Sequence, residues 1–203
     1  VLNIDWNVPK ISERKNVWKK IDIACYESFE QTVLGFNPDY IIHLAARTDL
    51  DGKSLKDYSQ NVEGVENLMK IVQKLPNLKK VIITSSKFVT TNGYKIRDQF
   101  DYCPHTVYGK SKVETEKIVW ANRPQCDWCI IRPTSIWGPW FGVPYRNFFD
   151  MVMRRMYFHI GHIKCYKTYG YIGNAVYQIE QLLFNETRDE NNKVFYIGDE
   201  PAY

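Results

Sequence analysis

Short apolar runs alternate with longer amphipathic stretches along this chain, and that alternation limits the folds open to it. Tyr40-Ile-Ile-His-Leu-Ala45 follows Asn-Pro-Asp and reads as a buried parallel strand. From Leu55 through Tyr58, Val62, Val65, Leu68, Met69 and Val72, apolar residues recur at steps of three and four, which predicts an amphipathic helix closed by Pro76-Asn-Leu. Lys80-Val-Ile-Ile-Thr-Ser85 is the next strand. A polar loop from Thr90 to Pro104 carries the turn signal Asn92-Gly93. A helix from about Tyr108 to Asn122 follows, then the strand Trp128-Cys-Ile-Ile-Arg-Pro133. Val1–Asp5 and Trp18–Ile23 read as two earlier strands. Beyond Pro139 the pattern loosens, with helices predicted over 147–156 and 173–184 and a strand at 194–198. Strands that alternate with helices imply an α/β fold with a doubly wound parallel sheet.

The chain has 203 residues, enough for a domain with a substantial core. Its hydrophobic share of 44% is that of a globular protein. No apolar run approaches the roughly 20 residues that span a bilayer, so no membrane role is expected. The net charge of +4 is scattered without a concentrated basic patch, which argues against nucleic-acid binding. Five cysteines without framework spacing favour a reducing, cytoplasmic setting. Cys126-Asp-Trp-Cys129 enters an apolar strand instead of opening a helix, and no second pair completes a zinc site. Asn185-Glu-Thr187 is a formal glycosylation sequon with nothing else to suggest secretion.

Tyr108 and Lys112 stand four apart and so share one helical face. A phenol ordinarily titrates near pH 10, about three units too high for a base at neutrality. A nearby ammonium favours the phenolate and lowers that value, which makes the pair a candidate general acid/base. Thr84-Ser85-Ser86 closes an apolar strand on the edge where open α/β sheets bind ligands. His43-Leu-Ala-Ala46 ends the preceding strand with small residues that admit a flat ligand.

The chain resembles the extended short-chain dehydrogenase/reductases, the group of nucleotide-sugar epimerases, dehydratases and reductases. The segments that carry the resemblance are Tyr40–Ala46, Asn61–Leu68, Val81–Ser86, Tyr108-Gly-Lys-Ser-Lys112 and Ile131-Arg-Pro-Thr-Ser-Ile-Trp-Gly-Pro139, in the family's order and at its intervals. The resemblance implies a Rossmann-like dinucleotide-binding domain over 1–140 and a partial substrate-binding region over 141–203. It implies Tyr108 as acid/base, Lys112 as the group that lowers its pKa and holds the nicotinamide ribose, and Ser86 as the hydroxyl that orients the reacting oxygen. Leu44, Ala45, Ala46 and Thr48 resemble the wall beside the pyrophosphate, and Asp22-Ile23 the adenine contact. Asp5 falls where the family holds the adenine ribose, and an acid there favours NAD over NADP. Pro133 and Thr134 fall where the nicotinamide is covered, and Asn61 where a residue positions its helix. The family's glycine-rich phosphate loop and first strand are missing from the sequence, which also stops short at its C-terminal side. The expectation is a piece truncated at both ends, with sheet edges exposed and no turnover required of it alone.

The family's dehydratases place acids after the catalytic hydroxyl, whereas Lys87-Phe88 follow Ser86 here. That leaves an NAD-dependent epimerase or ketoreductase acting on a nucleotide sugar. The alternatives are a reductase of another carbonyl compound and a non-catalytic cofactor sensor or scaffold. The resemblance also implies a homodimer through helices near 55–74 and 108–122. Among the remaining residues, His159 and His162 read as structural or exposed and not as metal ligands. Trp137 and Trp140 read as core or cleft-lining, Arg47, Asp49 and Asp51 as a solvated loop, His105 as a loop residue, and Arg146 as a candidate contact to a diphosphate.

Overall fold

The computed structural model of the chain describes residues 1–142, 145–158, 167–186, 189 and 193–199. Two compact units form: residues 1–132 with 186–195, and residues 133–185 with 196–203.

The first unit opens with strand β1 (Asn3–Ile4), a 3-10 turn over Ser12–Val17, and strand β2 (Trp18–Lys19), parallel to β1. Helix α1 (Tyr26–Phe36) follows, its Phe29, Thr32 and Val33 turned to the core. Asn37 stops it in the left-handed region at φ 49°, its amide bonded to the Val33 carbonyl, and Pro38 comes next. Strand β3 (Tyr40–His43) leads to a 3-10 turn over Leu55–Tyr58 and helix α2 (Ser59–Val72). Ser54 and Asp57 form a capping box ahead of this helix. Strand β4 (Lys80–Thr84), helix α3 (Val107–Ala121) and strand β5 (Asp127–Pro133) complete the run. Strands β3, β4 and β5 are mutually parallel.

The second unit holds strand β6 (Ser135–Trp137), helix α4 (Tyr145–Met153), strand β7 (Tyr169–Tyr171), parallel to β6, and helix α5 (Ile172–Phe184). Strand β8 (Val194–Ile197) begins in the first unit and ends in the second. The larger sheet has the order β3-β4-β5-β8, and β1-β2 form a separate ribbon.

The core of the first unit gathers Phe29 and Val33 of α1, Val65, Leu68, Met69 and Ile71 of α2, Val81 and Ile83 of β4, Val119 of α3 and Ile130 of β5. Its architecture is the α/β arrangement that the alternation predicts, Rossmann-like as the resemblance implies.

Strand β3 departs from expectation. Ile42 is 40% exposed and Leu44, just beyond the strand, 58%. Ile41 and Ala45 pack against the core and His43 is buried. An apolar run does not by itself reveal whether both faces of a strand are covered, and here only one is. The strands of the first segment are also shorter than the apolar pattern suggests, two residues each.

Candidate active site

Strand β4 is almost wholly buried, and its ladder with β5 extends past its end, where the Ser85 amide donates to the Ile131 carbonyl at 2.8 Å. Ser86 then caps a 3-10 turn over Lys87–Val89, its Oγ accepting from the Phe88 amide at 3.1 Å. Helix α3 starts beside this turn. Thr106 caps it, its Oγ1 accepting from the Gly109 amide at 2.9 Å. A Cβ at Gly109 would collide with the Phe88 carbonyl, so the glycine lets the first turn of α3 sit directly on the segment that follows Ser86. Tyr108 is buried in that first turn, with the Phe88 ring edge-on to it at 5.9 Å and the Tyr58 ring at the same distance. Ser86 and Tyr108 thus converge on Phe88 from two elements. Lys112, one turn further along α3, is buried and donates from Nζ to the Thr84 carbonyl at 2.9 Å.

Burial sets the electrostatics. Desolvation pushes Lys112 down to about 8, opposed by the nearby Glu116 carboxylate. His43, at the end of β3, is pushed down to about 3 by desolvation and then by the Lys112 charge, so it is neutral at physiological pH. Thr84 Oγ1 lies buried at the same edge with no hydrogen-bond partner among the described residues, a polar position beside the lysine.

Asn61 ties two walls of this region together. Its Oδ1 accepts from the Arg47 amide at 2.7 Å, while its Nδ2 donates to the Arg47 carbonyl at 3.0 Å and to Ser111 Oγ at 3.2 Å. Ser111 in turn donates to the Tyr108 carbonyl. Asn61 therefore holds the strand-end segment against the first turns of α3, as a positioning residue does. Tyr58 pins the next stretch of loop, donating to the Asp49 carbonyl and accepting from the Gly52 amide. The Arg47–Asp49 pair is exposed, and Arg47 also reaches the Asp57 carbonyl.

Leu44, Ala45, Ala46 and Thr48 follow β3 in sequence. Leu44 and Thr48 are exposed, while the two alanines are half-buried. Ile23 is buried against α2, where Gly64 leaves room for its side chain. Asp22 Oδ1 accepts from the Ala24 amide at 2.9 Å, which fixes the turn into α1. Asp5 stands exposed after β1, its Oδ1 accepting from the Asn7 amide. Pro133 and Thr134 open the second unit, where Thr134 donates from Oγ1 to the Thr168 carbonyl.

Sequence reasoning missed a buried ionic group beside the pair. Glu116 of α3 and Arg132 of β5 are both fully buried and meet in two hydrogen bonds, Nε to Oε1 at 2.9 Å and Nη2 to Oε2 at 2.7 Å. Ser85 Oγ donates to the same carboxylate at 2.5 Å and the Tyr102 hydroxyl at 3.0 Å. The available signal was a charged residue inside the apolar run Cys129-Ile-Ile-Arg132. A buried strand carries a charge only when a partner is at hand. A second clamp closes the polar loop, where Arg97 and Tyr94 both hold the buried Asp101.

Cys126 and Cys129 lie at the start of β5, and burial pushes both thiols up, Cys129 to about 12, which suits packing and not redox work. His159, His162 and Thr187 lie outside the described residues. Trp137 packs against Phe149 and Tyr171 within the second unit, whereas Trp140 is exposed. His105 stacks on Phe88, and Arg146 is exposed beside Asp150.

The chain is 28% identical over 169 residues to an N-acetyl-alpha-D-glucosaminyl-diphospho-ditrans,octacis-undecaprenol 4-epimerase of Escherichia coli O157:H7, covering 81% of this chain and 50% of that one. It is 30% identical over 157 residues to a 3-beta-hydroxysteroid dehydrogenase of Mycolicibacterium neoaurum, covering 70% of this chain and 40% of that one. The chain thus spans half or less of the length of these two relatives. Among solved structures, the UDP-glucose 4-epimerase of Thermotoga maritima with UDP-glucose matches 98% of the chain and 69% of its own, with a TM-score of 0.77 and 21% identity. The UDP-glucose 4-epimerase of Thermus thermophilus, complexed with NAD, matches 98% and 70%, with a TM-score of 0.75 and 18% identity. At these identities the two structures establish the fold alone. The family model matches residues 4–183, and the chain belongs to the NAD dependent epimerase/dehydratase family.

Proposed function

We propose that this chain is the cofactor-binding and catalytic part of an NAD-dependent epimerase or ketoreductase acting on a nucleotide-activated sugar. The observation that carries the reading is the buried Lys112 ammonium on the same helical face as Tyr108, anchored to β4 two residues before Ser86. A lysine so placed favours the Tyr108 phenolate. Tyr108 then takes the proton of a sugar hydroxyl, or returns it to a carbonyl oxygen, while Ser86 holds that oxygen by a hydrogen bond. NAD, when bound, supplies the hydride chemistry.

The residues present fit that cofactor. The Thr84 hydroxyl, without a partner among the described residues, lies at the edge where Lys112 is anchored. Small alanines follow β3, and the exposed Asp5 carboxylate suits ribose hydroxyls and repels a 2′-phosphate. Leu44, Ala45, Ala46, Thr48, Asp22, Ile23, Pro133 and Thr134 would hold the rest. The dinucleotide-binding part is assigned to 1–140 and a substrate part to 141–203. Lys87 follows Ser86 where a dehydratase needs an acid, which favours epimerisation or reduction over water loss. A reading as a dehydrogenase of a non-sugar hydroxyl compound is favoured by the similarity to the steroid enzyme.

The proposed setting is cytoplasmic, and among the described residues no helix is long and apolar enough to cross a membrane. The proposed homodimer would pair charged faces. Glu63, Glu66 and Lys70 are exposed along α2, and Lys110 and Lys117 along α3.

The test is a fluorescence titration with NADH and NADPH, then turnover on UDP-glucose, UDP-N-acetylglucosamine and a 3β-hydroxysteroid. Tighter NADH binding with sugar turnover supports the leading reading. Steroid turnover alone selects the second, and cofactor binding without any turnover by the protein in its whole length sinks both.

A further inference from the structure

Four elements of the candidate site meet at one carboxylate. Glu116 lies on α3 one turn beyond Lys112, hence on the face that carries Tyr108 and Lys112. Its Oε1 accepts from Ser85, the residue before Ser86, and from Arg132 Nε, while its Oε2 accepts from Arg132 Nη2 and from Tyr102. Arg132 is the last residue of the first unit on β5, and its Nη2 also reaches the Gln99 carbonyl of the polar loop at 2.7 Å. The Arg132 guanidinium lies 5.5 Å from the centre of the Tyr102 ring. One buried anion thus links the acid/base helix, the serine-bearing strand end, strand β5 and the loop.

The ion pair is a poor device for stability alone. Two charges withdrawn from water rarely recover their desolvation cost, and an apolar pair of similar volume often serves the fold equally well. What a bidentate fork does supply is orientation, since both oxygens and both nitrogens must align. Resting on the function proposed above, we infer that Glu116 and Arg132 are positioning residues: they fix the rotation of α3 against the end of β4, and so hold Tyr108 and Lys112 in register with Ser86.

Glu116 has a second effect, on charge. The groups that face Lys112 are Tyr108 and Glu116 from α3, His43 from β3 and the Thr84 carbonyl from β4. Tyr58 faces Tyr108 from the turn before α2, and Arg132 with Tyr102 face Glu116. His43 is neutral, so Glu116 is the anion that sustains the lysine charge against desolvation.

Two variants of the full chain separate positioning from packing. The paired Glu116→Met, Arg132→Met chain keeps the buried volume and removes both charges. It is expected to fold with a melting temperature near that of the wild type, to bind NADH within about threefold, and to lose at least about tenfold in kcat with KM little changed. Unchanged kcat in a folded chain overturns the proposal. Failure of the paired chain to fold also overturns it, since the network then serves the fold itself.

The single Glu116→Gln chain carries a readout that needs no substrate. Lysines labelled at 13Cε are titrated by NMR, with Lys112 assigned by the signal absent from Lys112→Met. Loss of the anion is expected to lower the Lys112 midpoint by at least about one unit, and an unchanged midpoint overturns the charge role. If the protein in its whole length turns over no sugar, the proposed function fails while this titration still decides the charge role of Glu116. If Glu116→Gln does not fold, the paired chain decides the positioning role.

Discussion

The two ends of the proposed cofactor path are built differently. Around Lys112 and Ser86, strand β4 is buried, helix α3 abuts the Phe88 carbonyl, and the Glu116–Arg132 pair is fully enclosed. Around Asp5, strands β1 and β2 pair over two residues each and Asp5 itself is exposed. Polar groups at the first end are held by partners from three or four elements, whereas the Asp5 carboxylate accepts from the nearby Asn7 amide and the Asp5 backbone bonds to β2, at the Lys19 carbonyl and the Trp18 indole. A group that must hold a proton-transfer geometry needs the first kind of support. A carboxylate proposed to meet a ribose and repel a phosphate can work from an exposed position.

Substitutions that break the well-supported end should have the largest effects. Tyr108→Phe is expected to cost about 10²–10⁴-fold in turnover, read by steady-state kinetics. Glu116→Gln leaves Arg132 buried without its counter-charge and is expected to destabilise the chain by about 3–5 kcal/mol in urea unfolding. Gly109→Ala drives a methyl into the Phe88 backbone and is expected to cost about 1–3 kcal/mol. At the exposed end, Asp5→Ala should change stability by no more than about 0.5 kcal/mol while narrowing the preference for NADH over NADPH.

A pH profile sharpens the same contrast. Lys112 titrates at about 8, so its ammonium is present below that pH and lost above it. The expected alkaline limb of kcat therefore falls near pH 8, where an exposed lysine would lose its charge only near pH 10.5. A profile flat through pH 9 breaks the link between this lysine and turnover.

Much of the well-supported end is legible in the sequence because its signals are periodic. The four-residue step from Tyr108 to Lys112 fixes a shared face, and the apolar run ending at Thr84-Ser85-Ser86 fixes a strand edge. Helix α1 escapes notice because only Phe29 and Val33 mark its buried face over three turns, with Thr32 as their buried neighbour. Strand β3 looks fully buried because hydropathy does not report which face lacks a covering element. The Glu116–Arg132 pair joins residues sixteen positions apart on a helix and a strand, and pairing at that range is settled by tertiary packing. Asn61 is legible as a positioning residue from the family resemblance, but its partners at Arg47 and Ser111 emerge only from the fold.

The most direct test of the central claim compares the wild type with Tyr108→Phe in two assays, NADH binding by fluorescence and turnover of UDP-sugars. A catalytic Tyr108 predicts cofactor affinity retained within about threefold and turnover lost by at least about a hundredfold. Equal turnover in the two proteins would contradict it and remove the Tyr108–Lys112 pair from the chemistry.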